Sequence, residues 1–410
     1  MVITACFLTV AAATAGLAAV QAGETGPARP RAPLVANLLT RYAGGDADAV
    51  KTFAFAPDKG PAVRAFLDQA REWARRGGPG SDRQLVAATF ALEVAQHWAG
   101  GSDWQYGQML IAWGCAEMSS TPIAHPAERV WHLAAVAVAE AAEDWTLLAG
   151  RRRPAGEPAR LSRNRVENEL RQGHLSHALA RFPDEPRLAL AAAVTAESLT
   201  WDIGGFGRDH NLRGGLTVGE IDHGYLDRLR SGDVAAPDGS NRPVPAAKSL
   251  GRWHLARVDE VRAVRERYVA LTALPPVAAE AHVRLALVLF RLAERDEALH
   301  HLTLALELTE EPEVVYLAHL VRGAIRERQG GDDDAIAAYR AALSVFPRAQ
   351  SATSLLVSRL FVAGRRAEAA ALADEFFESD EPAPDPWTTY RVGEVRNLRS
   401  YFARLRGAAK

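Results

Sequence analysis

A chain of 410 residues can hold two ordinary domains or one elongated array, and its hydrophobic share of 48% is ample for a sizeable core. Only 7% of the residues are aromatic while Ala and Leu abound, a mix that favours helices over strands. A formal net charge of −2 gives no global attraction to nucleic acid or to an anionic membrane surface.

The chain opens with MVITACFLTVAAATAGLAAVQAGETG, uncharged until Glu24 and apolar from Val2 to Val20. Small residues at Val20-Gln21-Ala22 place a cleavage site before Gly23, so residues 1–22 are expected to be a secretory signal peptide and the protein to be exported to the periplasm or cell envelope. If that segment stays uncleaved, it would instead tether the protein to the inner membrane; no later segment is long and apolar enough to cross a bilayer. Cys6 lies in this stretch, which leaves Cys115 alone and rules out a disulfide framework. Cys115 sits on an expected helix, where a small buried hydrophobe is the plain interpretation.

Residues 23–33 (GETGPARPRAP) suit a flexible leader. From 34 to 200 the apolar residues recur at a helical period, as in 61–77, 83–98 and 126–149, and Gly44-Gly45, Gly77 to Gly80, Gly100-Gly101 and Gly150 punctuate them. Short helices joined by such turns make helical hairpins. His125, Glu128 and His132 fall near one helical face, but the spacing is not that of a helical zinc motif, and no metal is expected. The span 166–197 has the punctuation of a degenerate repeat, with Gly173, Pro183 and Pro186.

Residues 201–245 are rich in Gly, Pro, Asp and Asn and are expected to be an irregular insertion. Their polar stretch 201–223 carries Asp209, His210, Asp222 and His223, the most enzyme-like patch of the chain. It supports an alternative in which the protein is a hydrolase or transferase with His210 and Asp209 as acid and base. No nucleotide-binding loop, nucleophile elbow, paired CxxC or calcium loop accompanies it, so no catalytic residue and no cofactor are assigned.

The segments DEALHHLTLAL (296–306), DDAIAAYRAAL (333–343) and AEAAALADEFF (367–377) align. Ala298, Ala335 and Ala369 coincide at separations of 37 and 34 residues, followed by Leu302, Tyr339 and Ala373 and then by Ala305, Ala342 and Phe376. Gly330 and Gly364 precede their alanines by five positions, Gly323 precedes Ala335 by twelve, and Pro347 follows the second helix. Small residues let two antiparallel helices approach, a large residue fills the hollow beside them, and Gly permits a left-handed turn. Such a pair leaves apolar faces on both sides and stacks on its neighbours. A fourth copy over 246–277 would use Leu250-Gly251, Ala263 and Ala270-Leu271.

This period and pattern resemble the tetratricopeptide repeat family over 246–380. The resemblance implies an all-α fold in which helix-turn-helix repeats stack into a right-handed α-solenoid whose first helices line a groove for peptides or partner helices. Carried over position by position, the groove residues are Val283, Leu287, Phe290 and Arg291, then Leu320, Ala324, Glu327 and Arg328, then Ser354, Ser358, Phe361 and Val362. The Lys/Asn set with which some members clamp a terminal carboxylate is absent. Arg322 and Arg326 stand where large apolar residues are usual, and Val357 where Gly or Ala is. Residues 385–410 carry Trp387, Tyr390, Val395, Leu398, Phe402 and Leu405 at helical spacing and are expected to be a capping helix with a solvated Arg face. The function implied is a non-catalytic scaffold for other proteins or peptides, without nucleic acid; the remaining alternative is a membrane-tethered assembly factor of the envelope.

Overall fold

The computed structural model describes residues 35–409 except 79–80, 100–102, 121–124, 151–173, 199, 201–246, 379–382 and 391, and leaves out the side chains of 142–150 and 247–258. The expected signal peptide at 1–22, the leader at 23–33 and the expected insertion at 201–245 therefore lie outside the described residues. Among the described residues every regular element is a helix, with no strand, as the composition predicts. The chain divides into two compact units, 1–183 with 394–410, and 184–393.

The first unit holds α1 (Val35–Ala43), α2 (Asp48–Ala54), α3 (Lys59–Arg75), α4 (Asp82–Trp98), α5 (Trp104–Met118), α6 (Glu128–Gly150) and α7 (174–181). Its axis is α4, which packs on α1, α2, α3, α5 and α6 and is buried from Gln84 to Ala95. Phe66 lies between Phe90 (5.7 Å, stacked) and Trp113 (5.2 Å, edge-on), so three helices share one aromatic cluster. Gly114 of α5 lets Trp131 of α6 lie against the backbone; a methyl group there would overlap the indole. The buried carboxylate of Glu93 accepts hydrogen bonds from the Tyr42 hydroxyl and Arg406 Nε, both at 2.7 Å.

Arg406 belongs to α16 (Leu398–Ala408), and here the structure corrects the expected capping helix. The stripe from Trp387 to Leu405 is not one helix; 3-10 turns at Pro386–Thr389 and Gly393–Asn397 interrupt it. Only α16 is regular, and it packs on α4 and α6 of the first unit with Leu398, Tyr401, Phe402 and Leu405 buried. Glu140 of α6, itself buried, accepts the backbone N–H groups of Glu394 (2.8 Å) and Val395 (3.1 Å), a carboxylate at the donor-rich start of the terminal helical segment.

The second unit holds α8 (Pro186–Ser198), α9 (Ala247–Thr272), α10 (Ala278–Arg291), α11 (Arg295–Leu308), α12 (Pro312–Arg328), α13 (Asp332–Val345), α14 (Gln350–Val362) and α15 (Arg366–Phe377). The pairs α10/α11, α12/α13 and α14/α15 are hairpins, and α11 packs on α12 as α13 packs on α14. Ala298, Ala335 and Ala369 are all buried. Gly323 of α12 faces Tyr339 of α13 so closely that a methyl group would enter the ring. Arg322, where the sequence resemblance calls for a large apolar residue, donates to Thr303 Oγ1 of the preceding hairpin at 3.3 Å.

The expected fourth hairpin over 246–277 is instead the single helix α9. Between Gly251 and Pro275 there is neither Gly nor Pro, so nothing breaks the helix where a turn was required. The degenerate repeat at 166–197 is divided as well, since α7 belongs to the first unit and α8 to the second.

The three hairpin turns share one backbone conformation. Gly330 and Gly364 both have φ +79°, and the equivalent position in α10/α11 is Ala293, at φ +65°. A Cβ there costs roughly 1 kcal/mol. We expect Ala293→Gly to raise the unfolding free energy by about 0.5 kcal/mol, the relief of strain being partly offset by unfolded-chain entropy. Gly330→Ala should lower it by about 1 kcal/mol, both read by urea denaturation.

Candidate partner-binding surface

The structure separates the twelve sequence-derived groove residues into three groups. Val283, Leu287, Phe290 and Arg291 are buried, because α10 is enclosed on almost every side. Arg291 donates to Thr200 at both the hydroxyl (2.9 Å) and the carbonyl oxygen (2.8 Å). Leu320 and Ala324 of α12 are buried too, and Glu327 is half-buried. Glu327 accepts from the Tyr339 hydroxyl (2.9 Å) and from Arg359 of α14 (2.5 Å), and Arg359 also pairs with Asp332 (2.8 Å). These residues hold hairpins together. Arg328, Ser358, Phe361 and Val362 are exposed and Ser354 is half-buried, with Phe361 at 57% and Val362 at 62%.

The chain itself covers part of the first-helix face. Asp385 accepts the Tyr316 hydroxyl of α12 (2.9 Å) and the Ser351 N–H at the start of α14 (2.7 Å). Tyr390 lies under the guanidinium of Arg284 of α10, 4.4 Å from ring centre to Cζ, and donates to Glu197 of α8 at 3.1 Å. Tyr268 of α9 donates to the same carboxylate at 2.6 Å, and Glu280 accepts from Arg284 Nε at 2.9 Å. Burial first, then the Glu197 charge, pushes both phenols up, so each stays a donor. Residues 385–390 thus cross the three first helices in reverse order, tying them with charge-assisted bonds.

A cleft of about 550 Å³ opens where the α9–α10 turn meets the end of α11. Its walls include Pro276, Glu280, His282, Leu304, Leu308 and Glu311. His282 Nδ1 and His301 Nδ1 lie 2.8 Å apart with ring centres at 5.0 Å, an end-on arrangement in which one nitrogen donates and the other accepts. The partner of His301 is thus His282, 19 residues away across the hairpin.

In the first unit, His125 stands apart from Glu128 and His132 and points to Asp82 at 3.5 Å. Glu128 and His132 do meet, at 3.8 Å, but Arg181 grips the same carboxylate through Nε (2.7 Å) and Nη2 (3.2 Å). Among the described residues no group of three or more His, Cys, Asp or Glu could hold a metal ion. Cys115 Sγ lies 3.9 Å from His174 Nδ1, a contact across 59 residues that no local pattern announces. Burial pushes the thiol up to about 12 and pulls His174 down to about 4, with His177 and His132 adding to the latter. The pair is a neutral thiol beside a neutral imidazole, not an activated nucleophile. Asp209, His210, Asp222 and His223 lie outside the described residues. Among those described, no helix is long and apolar enough to cross a membrane.

No protein-family model matches the chain, and no curated protein matches it significantly.

The His174 shift has a signed consequence. Its pKa falls from 6.5 to about 4 on folding, so below pH 6.5 the unfolded chain takes up a proton that the folded one refuses. This contribution to stability is lost at about 1.4 kcal/mol per pH unit as the pH drops from 6.5 toward 4. In His174→Gln, urea unfolding followed by Trp fluorescence should show a correspondingly shallower loss across that window.

Proposed function

We propose that the protein is a non-catalytic interaction scaffold that holds a peptide or helical segment of another protein at the end of a tetratricopeptide-like array. The carrying observation is the exposure of Phe361 and Val362 at the end of α14, on positions that the repeat pattern assigns to the groove. The repeat period and the three hairpins support the family resemblance, and with it a right-handed superhelix. The apolar residues 2–20 and the small residues before Gly23 support export to the periplasm or envelope.

The binding surface is narrower than the sequence predicts. Arg328, Ser354, Ser358, Phe361 and Val362 remain open to a ligand, while the α10 positions serve the core. Arg366 sits over the Phe361 ring at 5.3 Å and places a cation beside the apolar pair. Burying two such side chains gains roughly 3–5 kcal/mol before ordering costs, whereas a micromolar complex needs about 8 kcal/mol. The partner therefore engages the Ser and Arg side chains as well, and dissociates readily.

The test is site-specific photo-crosslinking from Ser358 in envelope fractions. Phe361→Asp with Val362→Asp should abolish the cross-linked partner with the melting temperature unchanged. Phe290→Ala should leave a cross-link while lowering stability by about 3–5 kcal/mol, since it opens a cavity in the core. Undiminished cross-linking by the Phe361/Val362 double variant would refute the assignment.

A further inference from the structure

The cleft at the α9–α10 turn combines apolar walls with negative charge that the fold leaves unneutralised. Its volume of about 550 Å³ lies within the ~300–1,000 Å³ usual for ligand pockets. Leu304, Leu308 and Pro276 supply apolar wall, and Leu308 is 56% exposed. Glu307 and Glu311 stand beside them, both exposed, and neither carboxylate has a cation partner among the described residues. Arg187, which also lines the cleft, is held by Glu280 at 3.0 Å. His282 adds no positive charge, because burial and then His301 pull its pKa down to about 4. The end of α11 adds to the negative side. In α10 and in α12 to α15 a backbone N–H beyond the helix returns to the last-turn carbonyls. α11 lacks this among the described residues: Thr309 is extended, at φ −154° and ψ 151°, and no backbone N–H after Leu308 turns back. The carbonyl oxygens of its last turn, and the negative end of its dipole, are thus left at the wall formed by Leu304, Glu307 and Leu308.

We infer that this cleft binds an arginine side chain of an extended peptide, at a site separate from the Phe361 surface. A guanidinium answers what the walls present. Its planar fork of N–H donors can serve the carboxylates of Glu307 and Glu311 and the open carbonyl oxygens of α11 together. Its aliphatic stem lies along Leu304 and Leu308 while the charged head stays at the acidic rim. A neutral side chain of the same length would leave the two carboxylates uncompensated. The charge also selects the source. Free arginine brings a carboxylate of its own, which Glu307 and Glu311 repel, whereas in a peptide that charge is absent. Pro275, Pro276, Leu308 and Glu311 at the rim are all exposed, so residues on either side of the arginine can extend across it.

Isothermal titration of the full chain with acetyl-Leu-Arg-Leu-amide, at about 20 mM salt to limit screening, tests this. The arginine peptide should bind at least about tenfold more tightly than the same peptide carrying citrulline, which keeps the shape and loses the charge. Free arginine should bind at least about tenfold more weakly than the peptide. Glu307→Gln with Glu311→Gln should weaken the peptide at least about tenfold with unchanged circular dichroism. Glu310→Gln with Glu313→Gln removes as much charge from residues outside the cleft and should change the affinity less than about twofold. No binding, or equal binding of the arginine and citrulline peptides, overturns the inference, as does an equal loss in the two double variants. Free arginine binding as tightly as the peptide overturns the peptide as the source. None of these variants touches Phe361 or Val362, so the result stands apart from the cross-linking experiment.

Discussion

Close approach of two helices at a small residue, with a large ring filling the space that the small residue leaves, is the constraint on which the structure depends. It occurs at Gly323 against Tyr339 and again at Gly114 against Trp131. Each is a lock rather than a mere contact, because no side chain but hydrogen fits. At Tyr339 the consequence extends outward. A buried phenol must donate, and it donates to Glu327; Glu327 in turn holds Arg359, which reaches Asp332. One missing Cβ thereby sets the position of an aromatic ring, then of a carboxylate, then of the guanidinium on the next hairpin. Polar groups that the sequence offers as ligand contacts are consumed in this way by the fold itself.

The same logic explains why the open surface is small. An array made of apolar-faced hairpins must cover each face, and this chain covers part of the first-helix side with its own residues 385–390. The buried Arg284 would be costly alone, but Glu280 and Glu197 offset its charge and the Tyr390 ring covers its face. Among the described residues the last hairpin stays open, with Phe361 and Val362 of α14 and Phe377 of α15 exposed. The proposed partner surface lies there, where the stacking of hairpins ends.

Hairpin boundaries were legible because they rest on local chemistry: Gly330 and Gly364 mark left-handed turns and Pro347 closes a helix. Ala293 shows the limit of that signal, since it takes the same conformation without the residue that announces it. α9 was missed because Leu250-Gly251 imitates a small-residue contact, although a turn needs a breaker that the following residues lack. For α16 the apolar stripe predicted correctly that a face is buried, but a stripe says nothing about what buries it. The groove residues of α10 failed for a related reason. Family spacing tells which face of a helix they occupy, and only the path of 385–390 and α8 tells whether that face meets solvent. Cys115 with His174 and His282 with His301 are meetings between distant or separate helices, invisible to any window along the chain.

The most direct measurement is a double-mutant cycle of unfolding free energies on Gly323→Ala and Tyr339→Leu. If the missing Cβ exists to admit the ring, Gly323→Ala should cost about 1–3 kcal/mol in the wild type and well under 1 kcal/mol once Tyr339 is Leu, giving a strong coupling. Additive costs, with the Gly323→Ala penalty unchanged in the Leu background, would show that the two positions act independently and would contradict the account.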